Sequence, residues 1–193
     1  MLEDFLTSKS ELNRLAQAMQ NGQERAASSL YQKLMPKVYG FCISRVQNKF
    51  LAEDITQDIF LKLVGRIETY DSKKGDFVVW FWQLARNTLI DHYRKQKDVN
   101  FTDLESGDNE NKIYEVADTK QSSKLEAKEK ETKIKKILGS FTKEEQELFE
   151  LRFIAELSYK EIAGMLKRNE GALRVSVNRL RKKINERIKH EKI

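Results

Sequence analysis

One cysteine (Cys42), one proline (Pro36), two histidines and 8 glycines are spread over 193 residues. A single cysteine excludes an internal disulfide and a cysteine-based zinc site, and it fits a reducing compartment. The histidines, His92 and His190, are far apart, which leaves no support for a histidine metal site or a catalytic triad. No metal and no cofactor is therefore expected. So little proline and glycine disfavours turn-rich all-β folds. Long apolar runs are also missing. The most apolar stretch, Phe77 to Trp82, is far short of the ~18 residues of a membrane span. The first residues, Met1-Leu2-Glu3-Asp4, lack the basic-then-apolar pattern of a signal peptide. An intracellular, cytoplasmic protein without membrane insertion is expected.

What is present is charge, at 34% of residues, beside 39% hydrophobic ones, enough apolar content to argue against wholesale disorder. Its distribution divides the chain. Six acids stand against two lysines from Val99 to Ser123, a stretch without clear periodicity that reads as a flexible acidic linker. Basic residues dominate on both sides. Six Lys and Arg stand against two Asp from Lys73 to Lys97, and ten stand against three Glu from Leu166 to the end. The expectation is an all-α protein of two small helical domains, about 1–97 and 124–193, joined by residues 98–123.

Helical periodicity supports this class. Ser10 is a candidate cap for a helix with Leu12, Leu15, Ala16 and Met19 on one face, stopped near Asn21-Gly22. Ala26, Leu30 and Leu34 mark a second helix. Pro36 fits the first turn of a new one, with Val38, Phe41, Cys42 and Val46 facing inward. Ile55, Ile59, Phe60 and Leu63 mark a helix over about 51–64. The clearest period runs from Asp76, a candidate cap, to about Lys95, where Phe77, Trp80, Phe81, Leu84, Ala85, Thr88 and Leu89 share a face. Beyond the linker, a helix is expected from Leu125 to Leu138. Capping boxes follow at Thr142/Glu145 and Ser158/Glu161. A five-residue turn, Lys167 to Gly171, leads to a long helix with Leu173, Val177, Leu180, Ile184 and Ile188 as its buried stripe.

Two helices joined by a tight turn, the second strongly basic, form a helix-turn-helix pattern. The apolar stripe anchors the second helix and leaves its opposite face for a major groove. Ala172, Val175, Ser176 and Arg179 point toward base edges; Arg174, Arg181, Lys182 and Lys183 suit phosphates. A solvated basic surface helix would look much the same.

Several of these segments resemble a known family. Asp54-Ile55-Thr56-Gln57-Asp58-Ile59-Phe60-Leu61-Lys62-Leu63 resembles the D-x-x-Q-E/D-x-F signature in the second region of bacterial RNA polymerase sigma factors. Phe77 to Asn87, followed by Ile90-Asp91-His92-Tyr93-Arg94, is similar to that region's F-x-x-W-L-x-x-I-A-R-N-x-x-I-D-x-x-R. Leu157-Ser158-Tyr159-Lys160-Glu161-Ile162-Ala163 and Glu170-Gly171-Ala172-Leu173-Arg174-Val175 are similar to the fourth region's L-S-Y-x-E-I-A and E-G-A-L-K/R-V. Order, spacing and length resemble the extracytoplasmic function (ECF) group of the sigma-70 family, which keeps regions two and four alone. An N-terminal autoregulatory extension or a further C-terminal domain is not expected.

The resemblance implies a non-enzymatic transcription initiation factor whose partners are core RNA polymerase and promoter DNA, and it admits an anti-sigma factor. Asp54, Gln57, Asp58 and Leu61, at i, i+3, i+4 and i+7, would dock on a coiled coil of the polymerase's largest subunit. The loop before the helix from Phe77, and that helix, would open and read the −10 element through Lys73, Lys74, Arg86, Asn87, Arg94 and Lys95. These form a basic groove of the kind melted strands require. Trp82 lies off the apolar stripe and suits either base stacking or burial. Ala172, Arg174, Val175, Ser176, Arg179, Lys182 and Lys183 would serve the −35 element. Val78, Gln83 and Ser176 stand where the family often carries basic residues, which leaves phosphate contacts and −35 preference open. Two other classes fit parts of the pattern: an autonomous helix-turn-helix regulator, and a small nuclease using Asp54 and Asp58.

Overall fold

The computed structural model describes residues 2–102 and 140–190, with side chains from 9 to 95 and from 140 to 189. The described residues are helical apart from short connections, and none is in a strand. They fall into two compact units, one within Met1–Gly107 and one within Asp108–Ile193.

The first unit contains α1 (Leu2–Gln20), α2 (Glu24–Val46), α3 (Lys49–Arg66) and α4 (Phe77–Thr102). Helix α1 packs on α2 and α4, α2 on α3, and α3 on α4. The connections follow from local chemistry. Gly22, at φ +79°, lets the chain reverse after α1. Its N–H reaches the Met19 carbonyl and that of Gln23 reaches Ala18, a paired closure that satisfies the last carbonyls. Gln47 takes a left-handed conformation after α2, and the next residue, Asn48, caps α3 by accepting from the Leu51 N–H at 3.1 Å. Leu30, Leu34, Val38, Phe41, Ile55, Ile59, Phe77, Phe81, Trp82 and Leu89 form the core. The hydroxyls of Thr56 and Thr88, buried on α3 and α4, donate to carbonyls four residues back, of Ala52 and Leu84.

Three helix boundaries differ from the sequence expectation. Ser10 lies inside α1, because an interior serine costs only tenths of a kcal/mol and does not stop a helix. Pro36 lies inside α2 and starts nothing. It removes one hydrogen bond to the Gln32 carbonyl, a defect of about 3 kcal/mol. Burial of Leu30, Leu34, Val38 and Phe41 on both sides of it offsets that loss. Helix α4 continues to Thr102, so residues 98–102 are helix although composition assigned them to the linker. The remainder of the expected linker, 103–123, and the expected helix 125–138 lie outside the described residues.

The second unit contains α5 (Lys143–Phe149), which passes into a single π-helical turn over Glu150–Ile154, then α6 (Tyr159–Leu166) and α7 (Glu170–His190). Both capping boxes form reciprocally, Thr142 with Glu145 and Ser158 with Glu161. The turn between α6 and α7 is shorter than the sequence suggested. Lys167 alone takes the left-handed conformation, and Asn169 caps α7 by accepting from the Ala172 N–H at 3.1 Å. Gly171 is therefore the second residue of α7 and not part of the turn. A Cβ there would stand 3.1 Å from the Asn169 Oδ1 that caps the helix, so glycine gives the cap its space. Leu148, Leu151, Leu157, Ile162, Leu173, Val177 and Leu180 form the core of this unit.

Candidate polymerase-docking and DNA-reading surfaces

On α3 the buried stripe Ile55, Ile59, Phe60 and Leu63 fixes the helix against the unit, and what remains outside is an unbroken row. Asp54, Gln57 and Leu61 are exposed, Leu61 at 69%. Phe50 and Val64 extend the row at 61% and 60% exposure. Phe50, Asp54, Gln57, Leu61 and Val64 fall at i, i+4, i+7, i+11 and i+14, the spacing of a seam that packs against another helix. Exposed aliphatic and aromatic side chains in such a row mark an interaction surface better than solvated acids do. Phe50 and Val64 were missed in the sequence reading; their 3-4 spacing from Asp54 and Leu61 was the available signal. Asp58 sits at the edge of the row. Its Oδ2 lies 3.2 Å from His92 Nε2, so it also ties α3 to α4.

Helix α4 buries a face wider than one stripe because α1 and α3 both pack on it. Val78 and Trp82 are buried along with Phe77, Phe81, Ala85 and Leu89, while Trp80 is half-buried. Trp82 is 1% exposed and meets Phe41 of α2 edge-on at 5.5 Å. The alternative of base stacking by Trp82 is thereby corrected: it is a core residue. The half-buried Trp80 stacks obliquely on Tyr70 and Phe77. Asn87, Arg94 and Lys95 are exposed and Arg86 is half-buried. Arg94 stands 3.8 Å from Asp91, and the Gln83 amide donates to Asn87 Oδ1 at 2.8 Å.

The loop ahead of α4 presents Lys73 and Lys74 to solvent. Asp71 shapes its tip, accepting from the Lys73 N–H at 2.9 Å through its side chain and from the Lys74 N–H at 3.0 Å through its carbonyl. Tyr70, at the base of the loop, is buried against Phe77. Burial foremost, and then the nearby Asp76 carboxylate, push its phenol above the ordinary tyrosine range.

In the second unit, Ala172, Val175, Arg179 and Lys182 form the outward face of α7, opposite Leu173, Val177 and Leu180. Ser176 is half-buried at its edge. Arg174 is exposed, pairs with Glu170 at 2.8 Å and lies over the Tyr159 ring, with Arg152 also 5.0 Å from that ring. Arg181 is exposed on the flank. Lys183 departs from the expected set of DNA contacts. Its Nζ donates to both oxygens of Glu145 at 2.8 and 2.7 Å and stands 5.4 Å from the Phe141 ring. It fastens α7 to the start of α5, because Glu145, the acid of the capping box, faces it across the unit. The same ammonium holds the Glu145 carboxyl below its ordinary range. A carboxyl depressed in the folded state stabilises above its unfolded pKa, and that contribution is lost as pH falls through the folded value. Acid titration should therefore destabilise this unit below about pH 4.5. Glu145→Gln should flatten that dependence in thermal melts between pH 5 and 3, and an unaltered profile would show that the pair contributes nothing.

Among the described residues no group of three or more His, Cys, Asp or Glu side chains is placed to hold a metal ion, and no helix is long and apolar enough to cross a membrane.

Comparison with known proteins bears on the family and the fold. Residues 30–99 match the Sigma-70 region 2 family and residues 132–184 match Sigma-70, region 4. The ECF RNA polymerase sigma factor SigM of Bacillus subtilis is 30% identical over 160 residues, which cover 80% of this chain and 90% of SigM. BldN of Streptomyces coelicolor, also an ECF RNA polymerase sigma factor, is 29% identical over 169 residues, 87% of this chain but 62% of BldN. Among solved structures, CnrH in complex with the cytosolic domain of CnrY superposes with a TM-score of 0.64 at 18% identity, covering 93% of this chain and 98% of that one. The sigma factor RpoE of Bartonella quintana, in complex with the anti-sigma factor NepR, gives 0.62 at 20% identity, covering 84% and 96%. Both show the same fold. With two region families in order on two separate units, and with a relative aligned over nearly its whole length, the chain belongs to the extracytoplasmic function group of the sigma-70 family.

Proposed function

We propose that the two units divide the work of a promoter-directing transcription initiation factor, the function that the family assigns to this chain. The exposed row on α3 docks on core RNA polymerase, with Asp54, Gln57 and Asp58 providing polar contacts and Phe50, Leu61 and Val64 apolar ones. The loop carrying Lys73 and Lys74, together with Arg86, Asn87, Arg94 and Lys95 on α4, engages the −10 element. Trp80, half-buried on α4, takes the place of Trp82 as the candidate aromatic for base stacking. The outward face of α7 takes the −35 element, with Ala172, Val175, Ser176 and Arg179 toward bases and Arg174 and Lys182 toward phosphates. Phosphodiester chemistry belongs to the polymerase, so this chain acts as a non-catalytic factor in the cytoplasm. Domain limits near 102 and 124, with an acidic tether between, complete this reading. Binding of an anti-sigma factor extends it, because RpoE is seen with the anti-sigma factor NepR.

One observation supports the reading most. Asp54, Gln57, Leu61, Lys73, Lys74, Asn87, Arg94, Lys95, Ala172, Arg174, Val175, Arg179 and Lys182 are all exposed, while Ile55, Ile59, Leu63, Phe77, Phe81, Leu173, Val177 and Leu180 on the same helices are buried. The test is DNA binding by the polymerase-bound protein at several salt concentrations. Each phosphate contact removed should lower the slope of log affinity against log salt by about 0.9. Lys182→Ala should do this on every sequence tested. Arg179→Ala should instead relax preference at particular −35 positions. Wild-type salt dependence in Lys182→Ala together with unchanged −35 preference in Arg179→Ala would remove α7 from the DNA surface.

A further inference from the structure

Helix α1 lies ahead of the residues that match region 2, yet two of its side chains hold the loop between α3 and α4. Asn13 Oδ1 accepts from the Phe77 N–H at 2.8 Å and so caps α4 from another helix. Asn13 Nδ2 donates to Asp76 Oδ1, also at 2.8 Å. The Tyr70 hydroxyl lies 3.5 Å from the same Asn13 oxygen and donates to the Gly75 carbonyl at 3.3 Å. Two turns along α1, Gln20 Nε2 donates to the Ile67 carbonyl at 2.9 Å and to the Tyr70 carbonyl at 2.7 Å. Every one of these contacts is partly buried.

Their placement is selective. The groups held are at the base of the loop: Ile67 and Tyr70 on the way in, Gly75, Asp76 and Phe77 on the way out. Lys73 and Lys74 at the tip are left to solvent. Within the loop the Tyr70 N–H and hydroxyl serve the Ile67 and Gly75 carbonyls, whereas the Tyr70 carbonyl and the Phe77 N–H meet α1, and a half-buried group left unpaired costs free energy. Two amides from α1 supply the partners, so the loop is fixed before any ligand arrives. A surface held in its bound geometry discriminates better, because an incorrect ligand cannot be accommodated by rearrangement.

We propose that Asn13 and Gln20 are positioning residues for −10 recognition, setting the loop that carries Lys73 and Lys74 without touching DNA themselves. This rests on the reading of that loop and α4 as the −10 surface. The asparagine is required for its two-sidedness: one amide accepts from the α4 N-terminus and donates to Asp76. Asn13→Asp keeps the acceptor and loses the donor, and it sets two carboxylates against each other. Asp76→Asn in the same chain restores the hydrogen bond in the opposite direction.

The experiment uses holoenzyme assembled from the full chain and core polymerase, transcribing a promoter library with a constant −35 element and a randomised −10 element. Sequencing of the transcripts gives −10 discrimination. Asn13→Asp should lower it about tenfold, the factor corresponding to about 1.4 kcal/mol. Asn13→Asp/Asp76→Asn should recover it. Gln20→Met, of similar volume but without the amide, should lower it independently. Affinity for core polymerase should stay within about twofold of wild type in all three, since α3 is not involved. Lys73→Ala/Lys74→Ala serves as the control for the loop itself. Loss of discrimination there, with none in Asn13→Asp or Gln20→Met, overturns the positioning role alone. So does a parallel fall in polymerase affinity and thermal stability that the Asp76→Asn exchange does not reverse, because that describes general unfolding. Unchanged discrimination in Lys73→Ala/Lys74→Ala shows that the loop does not read the −10 element, and the positioning proposal falls with that reading.

Discussion

Asp54→Arg should weaken association with core RNA polymerase by at least tenfold while leaving the fold intact. The carboxylate is exposed in the middle of the α3 row, between Phe50 and Leu61, so the change removes an attraction and adds a repulsion where a partner helix would pack. Within the free protein an exposed charge reversal away from any buried partner alters stability by no more than about 0.5 kcal/mol. Asp58→Arg is the less clean variant, because it also breaks the contact with His92 between α3 and α4. Pull-down or anisotropy with core polymerase, alongside a thermal melt, separates docking from folding. Undiminished binding by Asp54→Arg would take this helix face out of the interface.

Trp82→Ala should cost the first unit about 3–5 kcal/mol, the range for removing a large aromatic from a packed core. The indole is enclosed, with Phe41 edge-on at 5.5 Å and Phe81 at 5.8 Å, so truncation leaves a cavity between α2 and α4. That is a large share of the roughly 5–15 kcal/mol that holds a typical domain together. Trp80→Ala, at a half-buried site, should cost much less while weakening −10 use. Denaturant unfolding of the two variants is the measurement. A stable Trp82→Ala protein that had lost −10 binding alone would contradict burial and return Trp82 to the DNA surface.

These two tryptophans show how far α4 was legible from sequence. Helical periodicity placed Phe77, Phe81, Leu84, Ala85, Thr88 and Leu89 inside, where they are, and also Trp80, which is only half-buried. Period alone gives the centre of an apolar face and not its width, which depends on how many neighbours surround the helix. Helix α4 has more than one, so Val78 and Trp82 are covered as well. Capping signals were read reliably at Thr142, Ser158 and Gly22, since each is set by groups within three to five residues of one another. Pro36 was misplaced because its local preference was overridden by burial on both sides. Lys183 and Asn13 mark the other limit. Both look like ordinary surface residues in sequence, and each owes its role to a partner far along the chain: Glu145 for the lysine, Asp76 and Phe77 for the asparagine. The residues proposed for docking came from family resemblance, whereas the exposure of Phe50 and Val64 emerged only when α3 had an outside.

The central claim is that promoter selection belongs to this chain together with core polymerase, and not to the chain alone. Two DNA-reading units on an acidic tether of the kind that composition leads one to expect over 103–123 would gain little from each other unless something fixed their spacing, and the single-stranded −10 target exists only after the duplex opens. A footprinting titration on a promoter recovered from genomic fragments, with and without core polymerase, tests this most directly. The expected result is weak, poorly selective protection by the free protein, and strong protection of both the −35 and −10 elements when polymerase is added. Tight, selective protection of a promoter-sized site by the protein alone would contradict it.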